Sequence, residues 1–380
     1  MQHKLINTIS KSVLFLGLFL VVSLFSVQKS YGEAAITVGD DVKIKFGVLF
    51  QGQADFTQNL AYDADYNQNI YLRRMRLLVG GQLAPNLTFF TETDNPNLGK
   101  QVPNPATPNS TAKNIQTTGF NTLDAVLTWK PVEPLYLDMG LILVPICRNC
   151  LQSAAMLMPI NYFQSSFVDS AATGSDIGRD TGLQARSYLL NDKLEIRLGA
   201  FQGYRTTNGS ATLGQTAAFR VSGRIQYDVF DAEKGLFYTG TYLGQKKVLA
   251  VGASYDEQAD YRAQALDAFL DMPFSDAMAL TTQVDYIRWM PGNIGTALSD
   301  TADWVVEAGV YLPSLKLQPF VQYEDQRLES GLASDTRYFQ GGVGYYFAGY
   351  NGNLKVSGGF KDTGTEYANE ITVQLQGFYF

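Results

Sequence analysis

Eight basic residues in the first eight alternating segments of the sequence share the polar parity: Lys43, Lys45, Arg74, Arg76, Arg186, Arg197, Arg220 and Arg224. A guanidinium stays charged at any relevant pH and donates paired hydrogen bonds from a planar fork, which suits phosphate and sulfate. Ranged along a water-filled wall, such groups would hand an anion from site to site, provided each site binds weakly enough to release it. Carboxylates share the parity, among them Asp55, Glu92, Asp94, Asp124, Asp138 and Glu195. Pairing of Arg74 and Arg76 with Glu92 and Asp94 on the next segment is the structural alternative, because cross-strand ion pairs are common. Arg73, on the opposite parity, is expected to snorkel towards an interface.

Catalytic chemistry has less to work with. The only histidine, His3, lies in a leader that is expected to be removed, so neither a Ser-His or Cys-His mechanism nor the usual His-containing zinc site is available. No pair of carboxylates stands out for acid–base work. The expectation is therefore no enzyme, no cofactor and no metal. Cys147 and Cys150 occur as Cys-Arg-Asn-Cys with no histidine following, which speaks against haem attachment. In an oxidising envelope a small disulfide across a turn is the expected use of the pair.

Strands must position these groups. From Val42 to Phe56, Val42, Ile44, Phe46, Val48, Phe50, Ala54 and Phe56 alternate with Lys43, Lys45, Gln51, Gln53 and Asp55. Successive strand side chains point to opposite faces, so one face suits hydrocarbon and the other water. Comparable segments fall at 70–83, 87–95, 122–130, 135–144, 180–190, 193–203, 218–229, 247–256, 262–272, 277–288, 303–312, 315–328, 336–347, 352–362 and 369–380. With 42–56 they predict an all-β, sixteen-stranded antiparallel transmembrane β-barrel, whose even closure leaves no unpaired edge. Tight turns such as 84–86, 131–134 and 191–192 alternate with long connections such as 96–121 and 145–179, as at the two rims of a barrel. Counting Gly235 to Leu243 as a further span gives an odd number, so 230–246 reads as an excursion on the periplasmic, short-turn side. Tyr71, Trp129, Tyr227, Tyr255, Trp304, Tyr323 and Tyr346 lie near strand ends, where an aromatic girdle forms. In the last strand Phe378 and Phe380 fall off the parity of Ile371, Val373 and Leu375, and a bulge near Gly377 would restore it.

Residues 1–32 read as a signal peptide, with Lys4 and Lys11 before the apolar run Val13 to Val27 and a small-residue site at Ser30-Tyr31-Gly32; cleavage after Ala34 fits nearly as well. Residues 33–380 then form one barrel domain. Removing Lys4, Lys11 and Lys29 leaves 26 basic against 36 acidic residues, which argues against nucleic acid as a partner. The address that follows is the outer membrane of a Gram-negative cell, with lipid as the partner of the outward face.

Several stretches resemble the phosphate-selective porin O/P family. They are Tyr71-Leu-Arg-Arg-Met-Arg-Leu-Leu-Val-Gly-Gly-Gln-Leu83, Gly178-Arg-Asp-Thr-Gly-Leu-Gln-Ala-Arg186, Tyr238 to Gly252 and Gln318-Pro-Phe-Val-Gln-Tyr323. The resemblance implies a homotrimeric porin passing small anions such as phosphate, recognised by the outer-membrane assembly machinery through the strand ending at Phe380. The loop at 145–179 carries Leu151, Met156, Leu157, Met158, Ile160, Tyr162, Phe163 and Phe167 and is too apolar for solvent. It is expected to fold into the barrel and bring Arg148 and Arg179 to a constriction; a lid on the barrel top or a place at the trimer contact is the alternative. Passive diffusion of small solutes is the leading functional expectation. A plugged structural or receptor barrel, whose extracellular loops bind a partner, is the alternative.

Overall fold

The computed structural model describes residues 34–39, 41–59, 66–103, 111–113, 120–167, 177–204, 218–292, 299–329, 335–364 and 367–380. The expected signal peptide lies outside them. Sixteen strands build the wall: β1 Val42–Asn59, β2 Tyr66–Ala84, β3 Leu87–Asp94, β4 Asn121–Val132, β5 Leu135–Leu143, β6 Arg179–Leu189, β7 Leu194–Phe201 and β8 Arg220–Asp228. The second half comprises β9 Val248–Gln258, β10 Tyr261–Ser275, β11 Met278–Met290, β12 Thr301–Tyr311, β13 Leu317–Leu328, β14 Thr336–Tyr345, β15 Gly352–Asp362 and β16 Tyr367–Tyr379. Each strand pairs antiparallel with the next, and β16 pairs with β1 from Val48 opposite Tyr379 to Asn59 opposite Ala368, which closes the ring. A short strand, Ala35–Val38, covers the edge of β1 at residues 42–45, below the point where β16 begins to pair.

The period-two pattern sorts as hydrocarbon outside and water require. Phe46, Phe50, Leu183, Leu198, Val251 and Leu266 are exposed on the outer face, whereas Gln51, Gln53 and Asp55 are buried on the inner one. Trp129, Tyr227, Tyr255, Trp304 and Tyr323 face outwards as girdle residues. Closure satisfies every ladder internally, the condition for spanning lipid with strands.

Three local readings from sequence need correction. Gln51 pairs with Arg74 and Gly52 with Leu72, so Arg73 is an extra, unpaired residue in β2. This bulge reverses the parity above it, because a one-residue slip sends every later side chain to the other face. Tyr71 consequently turns inwards, where its hydroxyl donates to Asp55 Oδ2 at 2.6 Å, and Arg73 donates to Asn161 at 3.2 Å rather than snorkelling. The last strand carries no bulge at Gly377: Gly377 sits opposite Phe50 and Phe378 opposite Leu49. Phe378 therefore points inwards and packs with Leu49, Leu78 and Phe90. Tyr346 is likewise buried on the inside instead of joining the girdle, with Lys355 Nζ 5.8 Å from its ring centroid.

Candidate functional site

The inside of the barrel is occupied by two chain segments that enter from opposite rims. Residues 144–167 descend from the long-loop rim after β5. Residues 229–247 rise from the short-turn rim after β8, so the stretch read from sequence as a periplasmic excursion lies against inward-facing wall residues. The two meet in register: the amide of Tyr238 donates to the carbonyl of Leu151 at 2.9 Å, that of Ser153 to Tyr238 at 2.9 Å, and that of Gly240 to Met156 at 3.1 Å. Gly240 is required at this contact, because a Cβ there would stand 2.8 Å from the Met156 oxygen and 2.9 Å from the Leu157 Cα.

A buried ion pair joins the same segments. Arg148, at the head of a single 3₁₀ turn Asn149–Leu151, gives Glu233 two hydrogen bonds of 2.6 and 2.8 Å. Its guanidinium carbon lies 3.7 Å from the ring centroid of Phe269, and a disulfide between Cys147 and Cys150 brackets it. Burial raises the pKa of the Glu233 carboxyl, but the Arg148 charge more than offsets this and leaves it below the ordinary glutamate value.

Hydrogen bonds tie the inserted segments to most of the wall. Gln51 on β1 and Gln376 on β16 donate to the carbonyls of Ala154 and Ala155. Lys355 on β15 donates to Pro159, and Glu324 on β13 accepts the amides of Gln164 and Ser165. Gln152 reaches Gln283 on β11, and the amide of Tyr242 reaches Asp271 on β10. Arg186 on β6 and Arg197 on β7 donate to the carbonyls of Gly235 and Leu236, and Arg224 on β8 to the Tyr238 hydroxyl. With Arg73 on β2 and Leu249 on β9, whose carbonyl accepts the Val229 amide at 2.8 Å, eleven strands are engaged among the described residues.

The sequence-derived candidates fall into three groups. Arg76, Arg179, Arg186, Arg197, Arg220 and Arg224 are all buried on the inner face, and each holds a carboxylate: Arg76 pairs with Glu92 and Asp94, Arg179 with Asp124, Arg186 with Asp138, Arg197 with Glu195, Arg220 with Asp256 and Arg224 with Asp267. The Arg224 bridge spans two strands because Gly252 lies between; a Cβ there would stand 2.3 Å from the guanidinium. Arg74 forms the second group with Lys355, a buried inner-face residue of β15. Arg74 bonds Gln51 at 2.7 Å and lies 5.4 Å from the Tyr162 ring, with no carboxylate within 4.0 Å among the described residues. Lys43 and Lys45 form the third, on the inward parity near the short-turn end.

On the far side, Asp285, Glu307 and Glu324 follow the polar parity of the sequence, whereas Asp271, Asp303 and the isolation of all five emerge only from the structure. Asp271, Asp285, Asp303, Glu307 and Glu324 on β10 to β13 have no basic partner within 4.0 Å among the described residues. Leaving aside Asp325, which has outward parity opposite Trp304, sixteen buried carboxylates stand against nine buried cations among the described residues.

No protein-family model matches this sequence. No curated protein matches it. Solved structures do match in fold. The anion-selective porin from Comamonas acidovorans is 11% identical, with 88% of this chain and 99% of that chain covered and a TM-score of 0.59. OmpF of Salmonella typhi, solved with daunomycin, is 16% identical over 90% of this chain and 99% of that chain at a TM-score of 0.57. OmpT of Vibrio cholerae in its trimer form is 11% identical over 90% of this chain and 100% of that chain at 0.54. The fold is thus that of the outer-membrane porins. A closed barrel of this kind with an apolar outer face belongs in the outer membrane of a Gram-negative cell.

Proposed function

We propose that the chain is an outer-membrane channel of the porin type, passing small hydrophilic solutes passively through a constricted lumen and performing no chemical step on them. One observation carries this reading: the sixteen-stranded ring is apolar outside and lined within by hydrogen-bonding and charged side chains. Trimeric assembly, named for the Vibrio cholerae structure, belongs to the proposal.

On selectivity, the arginines of β1 to β8 carry the expectation of anions, phosphate above all, and of membership in the phosphate-selective O/P family. Their pairing favours a different sign. Six of those arginines are neutralised by carboxylates, and the carboxylates of β10 to β13 that lack a basic partner leave the lumen with a negative excess that draws cations in. Arg74 and Lys355 are the observation that favours the anion reading, since neither holds a carboxylate.

Purified protein in planar bilayers under a salt gradient tests this. The expected result is a small single-channel current whose reversal potential has the cation sign, reduced in an Asp285→Asn, Glu307→Gln variant. An anion sign that is lost in Arg74→Ala would overturn the cation preference. Absence of current would replace the channel by a plugged barrel.

A further inference from the structure

We propose that Leu236 and Phe237 are the gate of the remaining passage, which runs along the inner wall of β3 to β6. This rests on the reading of the barrel as a channel and names where the solute goes.

The two inserted segments bond eleven strands; among the described residues no hydrogen bond runs from either of them to β3, β4 or β5, the one run of adjacent strands without such a bond, since β12 and β14 each lie between bonded neighbours. Contact with that sector is apolar: the ring of Phe237 lies 5.6 Å edge-on from that of Phe90 on β3, and Leu236 packs on the cluster containing Val126 of β4 and Ile142 of β5. Parting an apolar contact strands no donor or acceptor, whereas parting the bonded sectors leaves buried polar groups unmatched. The wall of β3 to β5 is therefore the side from which the insert can lift.

Empty space lies along the same wall. A cavity of about 320 Å³ is lined by Thr88, Thr128, Tyr136, Arg186, Tyr188 and the insert residues Lys234 to Leu236, close to the short-turn rim. Above it, between Asp124, Val126, Ile142, Leu143, Gln184, Arg197, Leu236 and Phe237, the free volume falls to about 10 Å³, close to the minimum that holds a single water. Leu236 borders both spaces. A vestibule narrowed by two apolar insert side chains set against a wall that carries Asp124, Gln184 and Arg197 has the form of a steric constriction. Gly235, at a φ of +135°, gives the chain a bend immediately before the pair that other residues adopt only under strain.

Single-channel conductance of Leu236→Ala, Phe237→Ala and the double variant tests the gate. Ile160→Ala is the control, a truncation of similar size packed against Met158 and Phe320 on the opposite side. The expected result is a several-fold rise in conductance in the double variant and no change in the control. A silent wild type would overturn the channel reading and the gate with it, whatever the double variant conducts. Wild-type current that the gate variants leave unchanged, or that the control raises equally, would overturn the gate while the channel reading stands. Silence of every variant would overturn both.

Discussion

Replacing Arg148 by methionine is expected to free the segment 229–247 from the lumen. The substitution leaves Glu233 buried without its cation, and breaking a buried pair in this way costs about 3–5 kcal/mol. At about 1.4 kcal/mol per factor of ten, the ratio of docked to released insert falls more than a hundredfold. Limited proteolysis of the folded barrel in vesicles reads this as cleavage near Ala232 to Leu236 that the wild type resists. The double variant Arg148→Met, Glu233→Leu restores resistance, because removing both charges removes the stranded one. An unchanged digest of the single variant would show that the pair does not hold the insert.

The pH dependence of this latch has a defined sign. The Glu233 carboxyl titrates lower when docked than when released, so its stabilisation is complete above the ordinary glutamate value of about 4.3. It is lost as the pH falls through the lower, docked value. The insert should therefore stay protected from neutrality down to mild acidity and loosen only below the usual carboxylate range.

Asp267→Ala is expected to have a comparable effect on the barrel itself. Arg224 donates to both oxygens of Asp267, at 2.6 and 2.7 Å, across the gap left by Gly252. Without the carboxylate the guanidinium retains, among the described residues, only Ser254, Gln226 and Tyr238 as partners. Urea unfolding in lipid vesicles should show a loss of about 3–5 kcal/mol, the range for a stranded buried charge. Gly252→Val, which removes no charge, should destabilise through the same bridge by filling its path. The exposed pair Arg288–Glu329 provides the contrast, since both side chains are about two-fifths exposed and Glu329→Ala should cost no more than about 1 kcal/mol. Equal losses in Asp267→Ala and Glu329→Ala would show that burial does not set the strength of these pairs.

These contrasts mark what the sequence makes legible. Strand number, closure and the outward face follow from a period of two that each segment displays by itself, and the alternation of short and long connections settles the count. The bulge at Arg73 is not legible, because Tyr71-Leu-Arg-Arg-Met-Arg76 satisfies either register and only the pairing of Gln51 with Arg74 decides. The position of 229–247 is obscured for a different reason. Gly235 to Leu243 looks strand-like and is set aside only because a further span makes the count odd, yet Leu236, Phe237, Tyr238, Tyr242 and Leu243 are as poorly suited to water as the apolar residues of 145–179. The same solvent argument, applied to them, points inwards. The partner of Arg148 lies 85 positions away with no periodic link to it, and the neutralisation of the arginines depends on which carboxylate each meets across the sheet.

Backbone hydrogen exchange within 235–241, measured on the protein folded in lipid vesicles, tests most directly the claim that two segments from opposite rims meet inside the barrel. Slow exchange is predicted for the Tyr238 and Gly240 amides, which donate to Leu151 and Met156 away from solvent. Exchange of both amides at the rate of an unprotected loop would place the segment outside the lumen and contradict that claim.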